Sequence, residues 1–543
     1  MKTVIKKIGI NGEGIGYLNR TPVFVPGALL DEEIDVKIVT KEKRYAIGSV
    51  NYIIKKSKDR IQPKCFVHHA CKGCPLMIAK YPAQLQYKRS LLKQSLIKYA
   101  QVDPRKVEKV IGSEEIFGYR NQCKLPVSLN KEGQLCSGFY LPNSNIFTEM
   151  KKCIVHDRGV ERIRHEVIEV LKRFGIQPYN HHTKSGIRSL VVRGFDGKYQ
   201  CTLVTGHDEL SCSLTEDILH IRGMYSLWQS IHTVKNTAEV FGKQMVHLGG
   251  EKQLPFHFDG LDLEVSPRSF FQLNTAQAKV LYQTIASLVK GHKKRIVEAY
   301  SGIGAISLYL RDKADEIIGI ETIKDAVVNA NQNAKRNHCE HVRFLCDDAA
   351  SKLTYLSKNK EIDVLVVDPP RSGLDDAMLE CLLRSKIKEI ICVSCNPATL
   401  GKNLAVLQEK YRVQRVIPID MFPNTQHVET VCLLSREKSV RRYVHVDVTP
   451  EELGMRGKSK NVKHPTYPQI REYVKEKHGL TVSSANIASV KDECGMEKQF
   501  SYKEAGMAAK KRPNCPKKKR DAIVEAFVHF GMLSQSDAEA LDA

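Results

Sequence analysis

Between residues 295 and 436 the chain alternates short apolar runs with helix-forming stretches. The runs at 296–300, 316–321, 342–346, 364–368, 390–394 and 430–435 read as strands, and stretches such as 305–310 and 326–336 read as helices between them. A strand, a crossover helix and a parallel strand form one unit; its repetition gives a doubly wound α/β sheet whose ligands lie at the carboxyl ends of the strands. No other feature constrains the chain as much, because it fixes where the chemistry has to sit.

The residues at those strand ends are suited to binding a nucleoside. Val297-Glu298-Ala299-Tyr300-Ser301-Gly302-Ile303-Gly304 runs from a strand through a glycine-rich turn into a helix, where backbone can approach a ligand closely. Glu321 closes the next strand, where an acid can take both ribose hydroxyls. Ser307 stands where a dinucleotide fingerprint has its third glycine, which favours S-adenosylmethionine over a ligand with a pyrophosphate. Asp347-Asp348, after the third strand, is within reach of an adenine. Asp368-Pro369-Pro370-Arg371 closes the fourth, its prolines stiffening the loop. That shape is similar to the strand end where amino-group methyltransferases hold a planar amine, but those carry an aromatic residue at the position of Arg371.

Cys395 follows the fifth run in Val393-Ser394-Cys395-Asn396-Pro397. A buried packing role is the plainer reading of a cysteine; a thiol between a strand end and a proline is instead placed as a nucleophile. Carbon 5 of uracil is a poor nucleophile, and a thiolate added to carbon 6 generates an enolate that makes carbon 5 reactive toward a methyl group. A base must then remove the carbon-5 proton. Glu429, expected on a loop before the last strand, is the candidate base, the plainer reading being a solvated acid. His427 is expected to orient neighbours.

Cys65, Cys71 and Cys74 lie within ten residues and need a fourth ligand. Cys153 is the choice, with Cys123 and Cys136 as alternatives. Four thiolates can hold Zn or a [4Fe-4S] cluster; three clustered cysteines and one remote favour the cluster over paired zinc-type spacing.

The formal net charge of +23 favours a polyanionic partner over a merely solvated basic surface. Sixteen cysteines, no signal-like amino terminus and no membrane-spanning run give the expectation of a cytoplasmic protein with free or ligated thiols. Residues 1–60, with Gly9, Gly12, Gly14 and Gly16 among alternating apolar residues, read as a small β-barrel of the kind that binds RNA. Residues 81–101 read as a helix with lysine and arginine on its polar face. Residues 61–265 read as a central α+β region, and 441–543 as a basic helical extension carrying Lys510-Lys511-Arg512 and Lys517-Lys518-Lys519-Arg520.

Together these motifs, with Tyr119-Arg120-Asn121, Ser269-Phe270-Phe271-Gln272-Leu273-Asn274 and Asp420-Met421-Phe422-Pro423, resemble over residues 1–436 the RNA uridine-C5 methyltransferase family, specifically its iron–sulfur branch acting on 23S ribosomal RNA. The resemblance implies a TRAM-like barrel at 1–60 and a Rossmann-like class I methyltransferase domain at 266–440. It implies Cys395 as nucleophile and Glu429 as base. It places Gln272, Tyr300, Glu321 and Asp368 around S-adenosylmethionine, and Cys65, Cys71, Cys74 and Cys153 on a [4Fe-4S] cluster. Phe270 is expected near a uracil flipped out of 23S rRNA, gripped by a monomeric enzyme. The chain departs from the family pattern at Ser301, Ala305 and Lys72, and at Gly401-Lys402-Asn403.

Overall fold

The computed structural model describes residues 1–142, 144–235, 237, 239–437, 467–494, 515–530 and 532–533. Two compact units, Met1–Arg441 and Arg442–Ala543, divide the chain.

The amino-terminal segment is a six-stranded sheet formed by residues 2–55. Residues 2–8 pair with Glu33–Lys41 on one side and, through Lys7 and Ile8, with Gly14–Leu18 on the other, so the sheet curls back on itself. Ile5, Val23, Val25, Ile34 and Val36 alternate inward and fill it. A central seven-stranded sheet follows, running from Gln122–Leu129 to Gln244–Gly250 and covered by the helices Arg158–Arg173 and Cys212–Leu219. The hairpin Leu254–Phe258 and Leu261–Val265, expected within the central region, instead packs its buried face into the core of the following sheet.

That sheet has seven strands: β1 (Lys293–Ala299), β2 (Ala314–Glu321), β3 (Val342–Cys346), β4 (Val364–Val367), β5 (Glu389–Ser394), β6 (Tyr411–Ile419) and β7 (Glu429–Arg436), in the order β3-β2-β1-β4-β5-β7-β6. The first five are parallel; β7 enters antiparallel between β5 and β6. Val364–Val367 is wholly buried, as expected of a parallel strand covered on both faces. β6 is absent from the sequence expectation, because Tyr411-Arg412-Val413-Gln414-Arg415 carries alternate charges in front of its apolar half.

The helix Tyr81–Ala100 agrees with its expected span, but Lys88 on it is 1% exposed, so its basic residues are not all on a solvated face. In the second unit, the helices Tyr467–His478, Ser484–Glu493 and Lys517–His529 share a core of Ile470, Val474, Ile487, Val490, Ile523 and Phe527. Arg520 there pairs with Glu493 at 3.0 Å. Lys510-Lys511-Arg512 lies outside the described residues. Among the described residues no helix is long and apolar enough to cross a membrane.

Candidate active site

Register brings the expected residues to one edge. Ala299 of β1 pairs with Ile320 of β2 and with Val367 of β4. Tyr300, Glu321 and Asp368 are therefore each the next residue beyond one level of the sheet. Ser394 at the end of β5 pairs with Thr430 of β7. Cys395 and Glu429 thus leave that pair in the same direction, on adjacent strands. Glu429 is the first residue of β7 rather than part of a preceding loop, so its backbone is fixed by pairing with Ile419.

The turn after β1 is built for close approach. Tyr300, Gly302 and Gly304 all have positive φ, and a Cβ on Gly302 would meet nothing within 4 Å. Glu321 accepts from Gly302 N at 3.0 Å and from Thr322 and Ile323 N at 2.8 and 2.9 Å. Ser301 Oγ is buried without a hydrogen-bond partner, packed over Gly319 of β2. Asp348 caps the helix Ala349–Asn359 through Ser351 N at 2.8 Å, which leaves Asp347, paired with Lys352 at 3.1 Å, as the better placed of the two to meet an adenine.

The Cys395 turn is held from both sides. Asn396 caps the helix Pro397–Leu407, and its amide donates to Arg371 O at 3.2 Å, tying the loop after β4 to the thiol. Burial pushes the Cys395 thiol up to about 11; Glu429 adds to the rise, and Arg371 opposes it. Burial and the Asp368 charge push Glu429 well above the usual carboxylate range, and burial brings Asp368 to about 6. Burial, with the Arg371, Lys88 and Arg120 charges, depresses His427 to about 4, so it is neutral at physiological pH. The free site therefore holds Cys395 as a thiol at neutral pH, beside a Glu429 carboxyl that keeps its proton to higher pH than an ordinary carboxylate. Gln272 is buried, its backbone carbonyl bonded by Asn121 Nδ2 at 2.9 Å, on a segment tied to the stretch before Glu429 by Asn274 Nδ2, which donates to Met421 O. Phe270 is 62% exposed, whereas Phe271 is in the core.

Several residues have roles that the sequence did not reveal. Glu298 is buried below the turn, accepts from Ser307 N at 2.8 Å and has its carboxyl raised to about 8, chiefly by burial. Its lone acid within an apolar strand was the available signal. Lys88 and Asp420 form a buried ion pair, and Tyr81 Oη donates to Asp420 at 2.8 Å. Those partners are more than 300 residues apart, and no local pattern couples them.

Cys65, Cys74 and Cys153 adjoin one small apolar cluster around Met77, Tyr119 and Val155, and Cys71 feels the charges of Cys153 and Cys65. Burial raises Cys74 to about 12; at Cys153 burial is outweighed by His156, which holds the thiol below its ordinary value. Cys123 and Cys136 lie in buried strands, and Cys123 belongs to a different core. The four expected cysteines are thus neighbours, while among the described residues no three metal-binding side chains are drawn together as ligands of one ion. Four neighbouring thiols are a donor set that either a Zn ion or an iron–sulfur cluster takes.

A family model for tRNA (Uracil-5-)-methyltransferase matches residues 251–437, and a TRAM domain model matches residues 4–50. A protein of Clostridium tetani described as an uncharacterized RNA methyltransferase is 35% identical over 444 residues, 79% of this chain and 95% of its own. The chain belongs to the uracil-5 RNA methyltransferase family. This methyltransferase is also 36% identical over 445 residues to an uncharacterized RNA methyltransferase of Halalkalibacterium halodurans, covering 80% of one chain and 96% of the other. The solved Pyrococcus abyssi tRNA (uracil-54, C5)-methyltransferase, in complex with S-adenosyl-L-homocysteine, superposes with a TM-score of 0.65 at 26% identity, over 80% of this chain and all of that one. The curled sheet of residues 2–55 coincides with the TRAM match. The methyltransferase match begins at 251 and takes in the hairpin Leu254–Phe258 and Leu261–Val265, upstream of the expected boundary at 266.

Proposed function

We propose that this RNA methyltransferase methylates carbon 5 of a uridine, at one or two sites, in 23S rRNA within the cytoplasm. The observation that carries the chemistry is the register that brings Cys395 and Glu429 together at the ends of β5 and β7.

The sulfur of Cys395 bonds to carbon 6 of a flipped-out uracil as its proton leaves to solvent, and the carbon 5–carbon 6 π pair moves through carbon 4 onto O4. Arg371 favours the thiolate that this step needs. Tyr300, Glu321, Asp368, Gln272 and the turn at 300–304 would hold S-adenosylmethionine, which would supply an electrophilic methyl group and leave as S-adenosylhomocysteine, keeping the electron pair of the broken sulfur–methyl bond. Carbon 5, made nucleophilic by Cys395, takes that methyl using the enolate pair. Glu429, having first released its own proton, removes the hydrogen from carbon 5; the double bond re-forms and Cys395 departs as a thiolate. Asn396 and Arg371 hold the two loops in register throughout.

Cys65, Cys71, Cys74 and Cys153 are proposed to hold a [4Fe-4S] cluster, which would tie the loop at 65–74 to residue 153. Brown protein with broad visible absorbance and about four iron atoms per chain is expected after anaerobic purification; colourless protein carrying zinc would overturn the assignment.

A second reading takes tRNA as substrate, favoured by superposition with the tRNA enzyme over that enzyme's whole length. Mass-spectrometric mapping of 5-methyluridine in rRNA and tRNA from a deletion strain decides between them. Loss from 23S rRNA alone supports the first reading, loss from tRNA alone the second, and loss from neither overturns both.

A further inference from the structure

A cleft of about 940 Å³ separates the curled amino-terminal sheet from the cysteine loop, and Gln426 of the catalytic segment lines it. Three parts of the chain meet there. A Cβ on Gly12 would stand 2.9 Å from Pro75 Cγ and 3.5 Å from Gln426 Cβ, so the turn of the first sheet, the cysteine loop and the catalytic segment are in contact. Gly12 also has φ of +81°, which keeps any larger residue out of that floor.

Four features of the cleft describe its occupant. One wall is aromatic and apolar: Phe24 and Tyr45 meet edge to face at 5.6 Å, and Tyr45 and Ile47 are each 38% exposed. Exposed Lys72 lines the cleft with His68 and His69, and Lys43 and Arg44 are exposed just before Tyr45 in the chain, after exposed Glu42. The acid in the cleft, Glu13, is turned inward and accepts from Asn11 N at 2.8 Å. Finally, Gln426 Oε1 is closed off from solvent with no hydrogen-bond partner, and turning this half-buried carboxamide toward a donor in the cleft would remove the deficit.

We propose that this cleft is a subsite for an unpaired nucleobase of the RNA substrate, outside the pocket that holds the target uridine. The inference rests on the reading that the substrate is RNA. The base stacks against Tyr45, its edge donates an N–H to Gln426 Oε1, and Lys72 and the Lys43–Arg44 pair face its phosphates. Adenine matches best, since a carboxamide can accept from its N6 amine and donate to its N7. Gln426 is three residues from Glu429, so one strand of RNA can occupy both places, and the subsite would orient the strand for methylation.

Fluorescence anisotropy with a fluorescein-labelled dodecamer of adenylate, on the full chain at 0.1 M salt, tests the assignment. Tyr45→Ala and Gln426→Ala are each expected to weaken binding about five-fold or more, in line with the worth of one stacked base. Tyr355→Ala, on the exposed face of the helix Ala349–Asn359, is expected to leave it unchanged. Photocrosslinking of the wild-type protein to the same dodecamer carrying 8-azidoadenosine needs no variant to fold, and is expected to label residues 10–13, 45–47 or 424–427. Equal affinity in all variants, labelling confined to other segments, or no binding by the wild type would overturn the subsite. Transfer of a tritiated methyl group from S-adenosylmethionine to total RNA by the wild type is scored separately. Its absence would sink the proposed methylation and leave the oligonucleotide result standing.

Discussion

Lys88 and Asp420 form an ion pair sealed from solvent, joining the helix Tyr81–Ala100 to the segment that delivers His427 and Glu429. Lys88 also donates to Phe422 O at 3.0 Å, and Gln84 exchanges hydrogen bonds with Asn424. Burial lowers the Lys88 pKa, and Asp420 opposes that shift. Removing one partner leaves the other charge buried, which costs about 3–5 kcal/mol. Lys88→Met is therefore expected to lower unfolding stability by about that amount in urea titration, and Asp420→Asn in the same chain to restore part of it. A loss under about 1 kcal/mol, typical of an exposed pair, would show that the pair does not hold the segment.

Glu298 offers a test of the electrostatics under the cofactor turn. Its carboxyl is raised to about 8 by burial and by the charges of Asp368 and Glu321. The folded state therefore keeps a proton that the unfolded chain releases near pH 4.5, so stability falls as pH rises between those values. Glu298→Gln imitates the protonated acid and lacks this slope. The wild type is expected to lose up to about 1.4 kcal/mol per pH unit relative to the variant from pH 5 to 8. Parallel stability curves would contradict the raised value.

Much of this site was legible in the sequence because its residues sit at strand ends, and strand ends follow from the alternation of apolar runs. Cys395, Asp368, Tyr300 and Glu321 all lie just beyond runs buried on both faces. Glu429 was found but misplaced, because the charged first half of β6 hid the strand that fixes it. The helix at 81–100 was legible as a helix, whereas Lys88 looked like any solvated lysine until Asp420 arrived from the far end of the chain. Gln426 carried no signal at all, since its surroundings come from three separate segments.

The thiolate fraction of Cys395 sets how fast it reacts. With the thiol pushed up to about 11, that fraction rises about tenfold per pH unit between pH 7 and 10. Alkylation of Cys395 by iodoacetamide, followed by mass spectrometry of its peptide, is expected to accelerate in that proportion. A rate that levels off below pH 8 would show a thiol activated in the free enzyme.

Cys395→Ala is expected to retain S-adenosylhomocysteine binding by calorimetry, while methyl transfer to RNA falls by more than about a thousandfold, the scale of losing a nucleophile. Substantial residual transfer would assign Cys395 to packing alone.

In the proposed reaction Cys395 and Glu429 act at opposite ends of one covalent cycle. Glu429→Gln keeps the shape of the protonated acid but cannot take the carbon-5 proton. Incubated with substrate RNA and S-adenosylmethionine, this variant is expected to accumulate a protein–RNA adduct that survives denaturing electrophoresis and disappears in the Glu429→Gln, Cys395→Ala double variant. A Glu429→Gln enzyme that turns over at the wild-type rate without an adduct would contradict the claim.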